Sequence, residues 1–232
     1  MKPDLLSGPA DTSAMRIVHT ALRRDYARAR TALTRPPYPD DAQRAALCGH
    51  LNWMTGFLHR HHESEDNSLY PMVAAANPAA ATLIDAMAAD HGAVQAALDA
   101  VESAVARYAQ SADRRAGLIA ALDALEEVLL PHLRREEDEM MPVVSRSITH
   151  AQWEAFNAEN YVNAKSKKEL GQEGHWLIDG LDPERYDIVV HTVPALPRFI
   201  LVHAMARPYR QQCALRWGSQ IDIRPLSKQS AR

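Results

Sequence analysis

Apolar residues recur at helical spacing along most of the chain. The cleanest run follows Pro78, where Ile84, Met87, His91, Val94, Leu98, Val101, Val105 and Tyr108 fall on one helix face. An earlier stripe reads Met15, His19, Leu22, Tyr26, Ala29 and Leu33. A second reads Leu51, Met54, Leu58, His61, Glu65, Leu69 and Met72, and a fourth Leu125, Leu129, His132, Glu136, Met140 and Val143. Arg35-Pro36-Pro37-Tyr38-Pro39, Asn77-Pro78 and Ser111 or Asp113 separate these runs, because proline ends helices and short polar residues cap them. Asp11, Thr12 or Ser13 suits the start of the first helix, and Asp40 or Asp41 that of the second, which runs to about Ala76. Residues 1 to about 11 are interrupted by Pro and Gly and are expected to be loose. Pro71 is expected to kink the second helix, and Pro131 to bend the fourth just before His132. Nothing up to residue 145 alternates as a half-buried strand does. The expectation is an all-α, up-down-up-down four-helix bundle over residues 12–145.

Residues 146–232 read as a helical C-terminal extension. A helix is expected over residues 150–170 with Trp153 and Phe156 inward, broken by Gly171-Gln172-Glu173-Gly174. Asp182-Pro183 can open another, which Pro194 and Pro197 end. A last segment from about Arg198 to Trp217 carries Phe199, Ile200, Val202, Met205 and Tyr209, too apolar for a disordered linker. By helical rise this tail leaves the bundle at the end nearer to His132. It is read either as a cover over the mouth of a site or as a segment packed outside the bundle or in a dimer contact.

Within the stripes stand residues that do not belong in a plain core. Two stretches, His61 to Pro71 and His132 to Pro142, share the pattern H-x-x-x-E-[ED]-x-x-[LM]-[YM]-P. Residues i and i+4 lie one above the other, so each copy presents an imidazole and a carboxylate side by side. An ionised carboxylate buried alone costs several kcal/mol, by the scale of charge burial, and must be paired or bind a metal. A helical register check adds His19 and His91. His19 and His61 lie about 20 residues either side of the first loop, His61 and His91 about 15 either side of the second, and His91 and His132 about 20 either side of the third. All four fall at one height, one per helix. A single histidine on an apolar face is usually a hydrogen-bonded core residue, but four at one level with two carboxylates point to a metal. By donor type that metal is iron, manganese or zinc.

Composition adds little against this. A formal charge of -3 over 232 residues gives no reason to expect nucleic acid or an anionic membrane. No apolar run is long enough to span a membrane, and no signal region is apparent. Cys48 and Cys213 form no motif and fit a reducing, cytoplasmic compartment. There is no nucleotide loop, no serine or cysteine nucleophile with a base, and no redox cysteine pair.

The order H…H-x-x-x-E…H…H-x-x-x-E, with the [LM]-[YM]-P endings, resembles the hemerythrin-like (HHE cation-binding) family over roughly residues 14–145, in the manner of bacterial hemerythrin-like proteins with a C-terminal extension. That resemblance implies a non-haem di-iron centre of two iron ions (Fe2+/Fe3+), oxo- or hydroxo-bridged. It implies ligation by His19, His61, His91 and His132, with Glu65 and Glu136 bridging. The chain departs from the oxygen-carrying members in having Gln95 one turn after His91, and Glu136 four residues after His132. With four imidazoles instead of five, more metal positions stay open, which disfavours reversible oxygen transport and favours reactivity. The resemblance thus implies a protein that binds a small diatomic or peroxide ligand and reacts with it, leaning to hydrogen peroxide disproportionation and oxidative-stress defence. The alternatives are an O2, NO or iron sensor and an iron-binding protein without turnover. The oligomeric state is open.

Around this set, Gln95 reads either as a hydrogen-bonding neighbour of the site or as a polar residue at the stripe's edge, and Tyr26 either as core or as pocket lining. His62, Glu63, Glu137 and Glu139 read as solvated, His62 being the one plausible substitute ligand. His50 and His59 lie off the stripe, and His175, His191 and His203 lack ligand spacing.

Overall fold

The computed structural model describes residues 7–163, 165–192 and 206–218. Among these there is no β-strand, and no helix is long and apolar enough to cross a membrane. The helices are α1 (Ser13–Thr34), α2 (Asp41–Ser64), α3 (Tyr70–Ala76), α4 (Ala81–Gln110), α5 (Arg115–Arg135), α6 (Met141–Ser147), α7 (His150–Asn157), α8 (Lys167–Ile178), α9 (Pro183–Thr192) and α10 (Ala206–Trp217).

The expected caps are in place. Asp11 accepts from the Ser13 amide at 3.0 Å, Asp40 from Gln43 at 2.8 Å, and Asp182 from Arg185 at 2.9 Å, each satisfying a donor that a helix start leaves over. α7 and α8 each begin with a capping box, Thr149 with Gln152 and Ser166 with Glu169. The second box carries α8 straight through Gly171 and Gly174, where the glycines predict a break. An interior glycine costs only about 1 kcal/mol, which a cap and the burial of Trp176 and Ile178 outweigh.

The chain forms two compact units. One comprises Met1–Arg16 with Leu51–Ala164, the other Ile17–His50 with Lys165–Arg232. In the first, α4 packs along α5. The α4 stripe residues Met87, Val94, Leu98, Val101, Val105 and Tyr108 are all buried, as are Leu118, Leu122, Leu125 and Leu129 of α5. Burial of each such side chain is worth about 1.5–3 kcal/mol. At one end of this unit Leu69, Tyr70, Val73, Met140, Val144, Trp153 and Phe156 share a core with Ala10 and Met15. Residues 8–10, expected to be loose, are tied down there. The Ala10 amide donates to the Ser145 carbonyl, Ser145 Oγ to the Ala10 carbonyl, and the His150 amide to the Gly8 carbonyl.

In the second unit Ile17, Ile178 and Leu181 form a small core. Beside it Asp25 is fully buried and accepts from His50 Nε2 at 2.7 Å, Arg24 Nε at 2.8 Å, Trp176 Nε1 at 3.1 Å and Arg28 Nη1 at 3.2 Å. Burial alone would raise the Asp25 carboxyl, but the His50 hydrogen bond and the Arg24 charge outweigh it and hold Asp25 well below the usual carboxylate range. Burial pushes His50 down to about 4, so at neutral pH its Nε2–H donates to an ionised Asp25. The arginines also hold the end of α8: Arg24 donates to the carbonyls of Trp176 and Asp179, and Arg28 to the Asp179 carboxylate. Gly180 follows with φ +71°, a left-handed turn that suits glycine after a helix end. The expected stops at Pro194 and Pro197, and Phe199, Ile200, Val202 and Met205, lie outside the described residues.

Candidate metal centre

Both motif copies interrupt their helix at the glutamate. A wide, π-type turn spans Glu65–Leu69 and another Glu136–Met140, closed by Tyr70 N–H to the Glu65 carbonyl and Met141 N–H to the Glu136 carbonyl. A proline stands just past each of these turns, at the end of the motif. Pro71 and Pro142 lack an N–H, and their rings clash with the carbonyl four residues back. Widening the preceding turn by one residue relieves that clash. Each proline sits at the start of the next helix, α3 or α6, where it is tolerated. The irregularity thus falls on the motif glutamates. Pro131, where a bend was expected, lies inside an uninterrupted α5.

Counting protons settles how the ligand-type side chains face one another. Ser64 Oγ donates to the His61 carbonyl at 2.8 Å, which uses its only hydrogen. In the 2.6 Å contact between Ser64 Oγ and Tyr161 Oη, the tyrosine must therefore donate. With its hydrogen committed, Tyr161 Oη accepts from His61 Nδ1–H at 3.1 Å. In the neutral ring the lone pair of His61 then lies on Nε2, which faces Glu65 Oε1 at 3.1 Å. The same logic applies to His91. Its Nδ1 meets the Asp66 carboxylate at 2.8 Å and must donate, and its Nε2 lies 3.6 Å from Glu65 Oε2.

Glu65 is fully buried between the Nε2 atoms of His61 and His91, and among the described residues neither of its oxygens finds a hydrogen-bond donor. Burial, and then the neighbouring Glu136 carboxylate, push the Glu65 carboxyl well above its ordinary range. Nearby, Tyr70 Oη donates to Glu136 Oε1 at 3.1 Å, and His132 Nε2 lies 3.9 Å from Glu136 Oε2. His132 Nδ1 is 3.8 Å from Asp90, whose carboxylate Arg135 holds at 2.6 Å. Two carboxylates thus share a dry space with several imidazole nitrogens, and burial opposes the negative charge that both would carry. A cation supplies what this arrangement lacks, and a mixed nitrogen and oxygen donor set fits iron, manganese or zinc.

His62 differs from expectation. It is buried, not solvated: its ring stacks on His91 with centroids 4.2 Å apart and meets His132 edge-on at 5.0 Å. Burial, then the neighbouring histidines, lower its pKa well below the ordinary value, so it is neutral and able to ligate. His62, His91 and His132 bring one ligand atom each within 4.8 Å of one another. The His61-His62 doublet was the available signal, but a strict stripe points only one of two adjacent residues inward. Glu63 and Glu139 are exposed, as expected.

The other predicted residues divide as follows. His61, Glu65, His91, His132 and Glu136 come together in the first unit. His19 and Tyr26 are buried on α1 in the second unit. Gln95 is exposed. Its amide oxygen meets His59 Nδ1 at 2.6 Å and its nitrogen donates to Asp99 at 2.9 Å, so it takes the edge-of-stripe role instead of bonding the site. His175 is buried against Tyr209, with stacked rings 5.6 Å apart. Tyr161 and Tyr70 were missed. Tyr161 comes from a tail segment with no motif, and Tyr70 read only as a variable position beside a proline.

Comparison with curated proteins finds none that matches, and comparison with solved structures finds none. The model of the hemerythrin HHE cation-binding domain matches residues 10–144. That match covers more than half of the chain and includes both motif copies and all four stripe histidines. The chain therefore belongs to the hemerythrin family, and its His/Glu clusters fit a metal site.

Proposed function

We propose that this protein holds two iron ions through His19, His61, Glu65, His91, His132 and Glu136, and uses them to react with a small oxygen or nitrogen species, hydrogen peroxide above all. The observation that supports the reading best is Glu65, a buried carboxylate set between the Nε2 atoms of His61 and His91. His19 joins the set on the sequence register, and His62 is added as a further donor because its ring stacks on His91. On this reading residues 12–145 form the metal-binding domain and residues 146–232 its extension. Cys48 and Cys213 are buried and joined in no disulfide among the described residues, which agrees with a reducing, cytoplasmic setting.

When bound, an iron pair supplies and takes back the two electrons by which one peroxide is reduced to water while a second is oxidised to dioxygen. The chain's own residues do the rest. Asp66 and Tyr161 keep the Nδ1 protons of His91 and His61 in place, so both Nε2 atoms stay available. Tyr70 holds one Glu136 oxygen by its hydroxyl, and the other faces His132 Nε2 at 3.9 Å. Leu58, Leu69, Met87 and Met140 are fully buried and keep the helix interiors beside the site dry.

The test is metal content by mass spectrometry beside a visible spectrum with and without peroxide. About two irons per chain, with oxygen released from peroxide, is the expected result. Two irons without turnover would move the function to sensing or storage. Zinc, or no metal from iron-replete cells, would overturn the iron reading.

A further inference from the structure

Resting on that reading, we infer that Tyr161, in the tail and beyond the family-matched stretch, is a positioning residue that fixes which nitrogen of His61 is offered to the metal. The evidence is the chain of committed protons: Ser64 Oγ–H to the His61 carbonyl, Tyr161 Oη–H to Ser64 Oγ, and His61 Nδ1–H to Tyr161 Oη. Each hydroxyl has one hydrogen, so with Ser64 bonded to the backbone carbonyl the chain runs from His61 to Tyr161 and from Tyr161 to Ser64. A neutral imidazole carries one proton. Holding it on Nδ1 leaves the Nε2 lone pair toward Glu65.

The tail is built to hold Tyr161 there. The Thr149–Gln152 capping box starts α7, and Trp153 and Phe156 anchor it in the core of the first unit. Asn160 Nδ2 donates to the Phe156 carbonyl at 2.9 Å, within the wide turn Ala158–Val162 that carries Tyr161. The Tyr161 ring packs edge-on against Phe156, with centroids 5.8 Å apart. This hydroxyl also makes the two histidines unequal. His91 is braced by the carboxylate of Asp66, His61 by a neutral phenol, and a carboxylate partner makes an imidazole the stronger donor.

The test uses the full chain and two readouts. The first needs no metal: 15N shifts of the histidine rings in the metal-free protein, with His61 assigned by its loss in His61→Gln. The Nδ1–H tautomer is expected for His61 in the wild type, and a shift toward Nε2–H in Tyr161→Phe. An Nε2–H tautomer in the wild type, or no change in Tyr161→Phe, overturns the inference. The second is titration with cobalt(II) followed by its visible bands. Tyr161→Phe should weaken binding about 10–100-fold, the usual effect of losing a partner of a ligating histidine. In a His61→Ala background the same change should have no further effect, which a merely structural tyrosine would not show. Equal cobalt affinity of wild type and Tyr161→Phe refutes the positioning role and leaves the metal reading standing. A wild type that binds neither cobalt nor iron, with the Nδ1–H tautomer intact, refutes the metal reading itself.

Discussion

Glu65→Leu separates a metal site from an ordinary polar core, because the two readings predict opposite signs for the metal-free protein. Glu65 is fully buried with no donor for either oxygen among the described residues, and burial with the neighbouring Glu136 opposes its ionisation. An unsatisfied buried polar group costs about 1–3 kcal/mol, and replacing buried ionic groups by apolar ones of similar volume often stabilises by about 1–4 kcal/mol. Leucine fits the stripe of Leu58, His61 and Leu69 and removes that cost. The metal-free variant should therefore be more stable than the metal-free wild type by about 2–3 kcal/mol, or roughly 5–10 °C in Tm for a chain of this size. In the presence of ferrous iron the order should reverse, since the wild type gains RT ln(1 + [L]/Kd) and the variant has lost a ligand. The assay is thermal unfolding by circular dichroism, with chelator and with iron under anaerobic conditions. A metal-free variant less stable than the wild type by 1 kcal/mol or more would refute the reasoning. It would mean that Glu65 contributes hydrogen bonds to the fold and is not held there for a cation.

Two further outcomes concern the second unit. Asp25→Ala leaves His50 and Trp176 Nε1 buried without this acceptor, and Arg24 and Arg28 with Asp179 as their remaining carboxylate partner. A loss of about 3–5 kcal/mol is expected in urea unfolding at pH 7, and a loss under 1 kcal/mol would show that the network is dispensable. Acid should destabilise the protein through His50. Its folded pKa lies near 4 against an ordinary 6.5, so between these values the unfolded chain binds a proton that the folded one refuses. Stability should fall as pH drops from about 6.5 to 4, by up to about 3 kcal/mol from a shift of that size, and His50→Gln should flatten the slope over that window. Asp25, held below the ordinary carboxylate range, adds stability above its unfolded pKa that is lost only as pH falls still further.

What the linear chain determined follows from short-range geometry. Helical periodicity gave away α1, α2, α4 and α5, because a stripe of one residue in 3.6 has no other efficient burial, and prolines and caps set their ends within a few residues. The same periodicity exposed His61, Glu65, His91, His132 and Glu136, since a charged or polar residue in an apolar stripe is visible without any fold. Tertiary structure decided what depends on contacts between distant segments. His62 is buried because rings from α4 and α5 close over it, which no single-helix stripe can show. Gln95 turns outward because His59, 36 residues earlier, engages its amide. Gly171 and Gly174 stay helical because α8 buries Trp176 against Asp25, 151 residues away. The wide turns at Glu65 and Glu136 lie between these cases. Pro71 and Pro142, which follow them, are written in the motif, but Pro131 leaves α5 uninterrupted, so a proline alone does not decide where a helix widens, and the core around Leu69 and Met140 is set by distant segments. Tyr161 was wholly out of reach. Its role rests on a hydrogen bond across 100 residues to His61, and nothing in the local sequence marks a tyrosine as the partner of an imidazole.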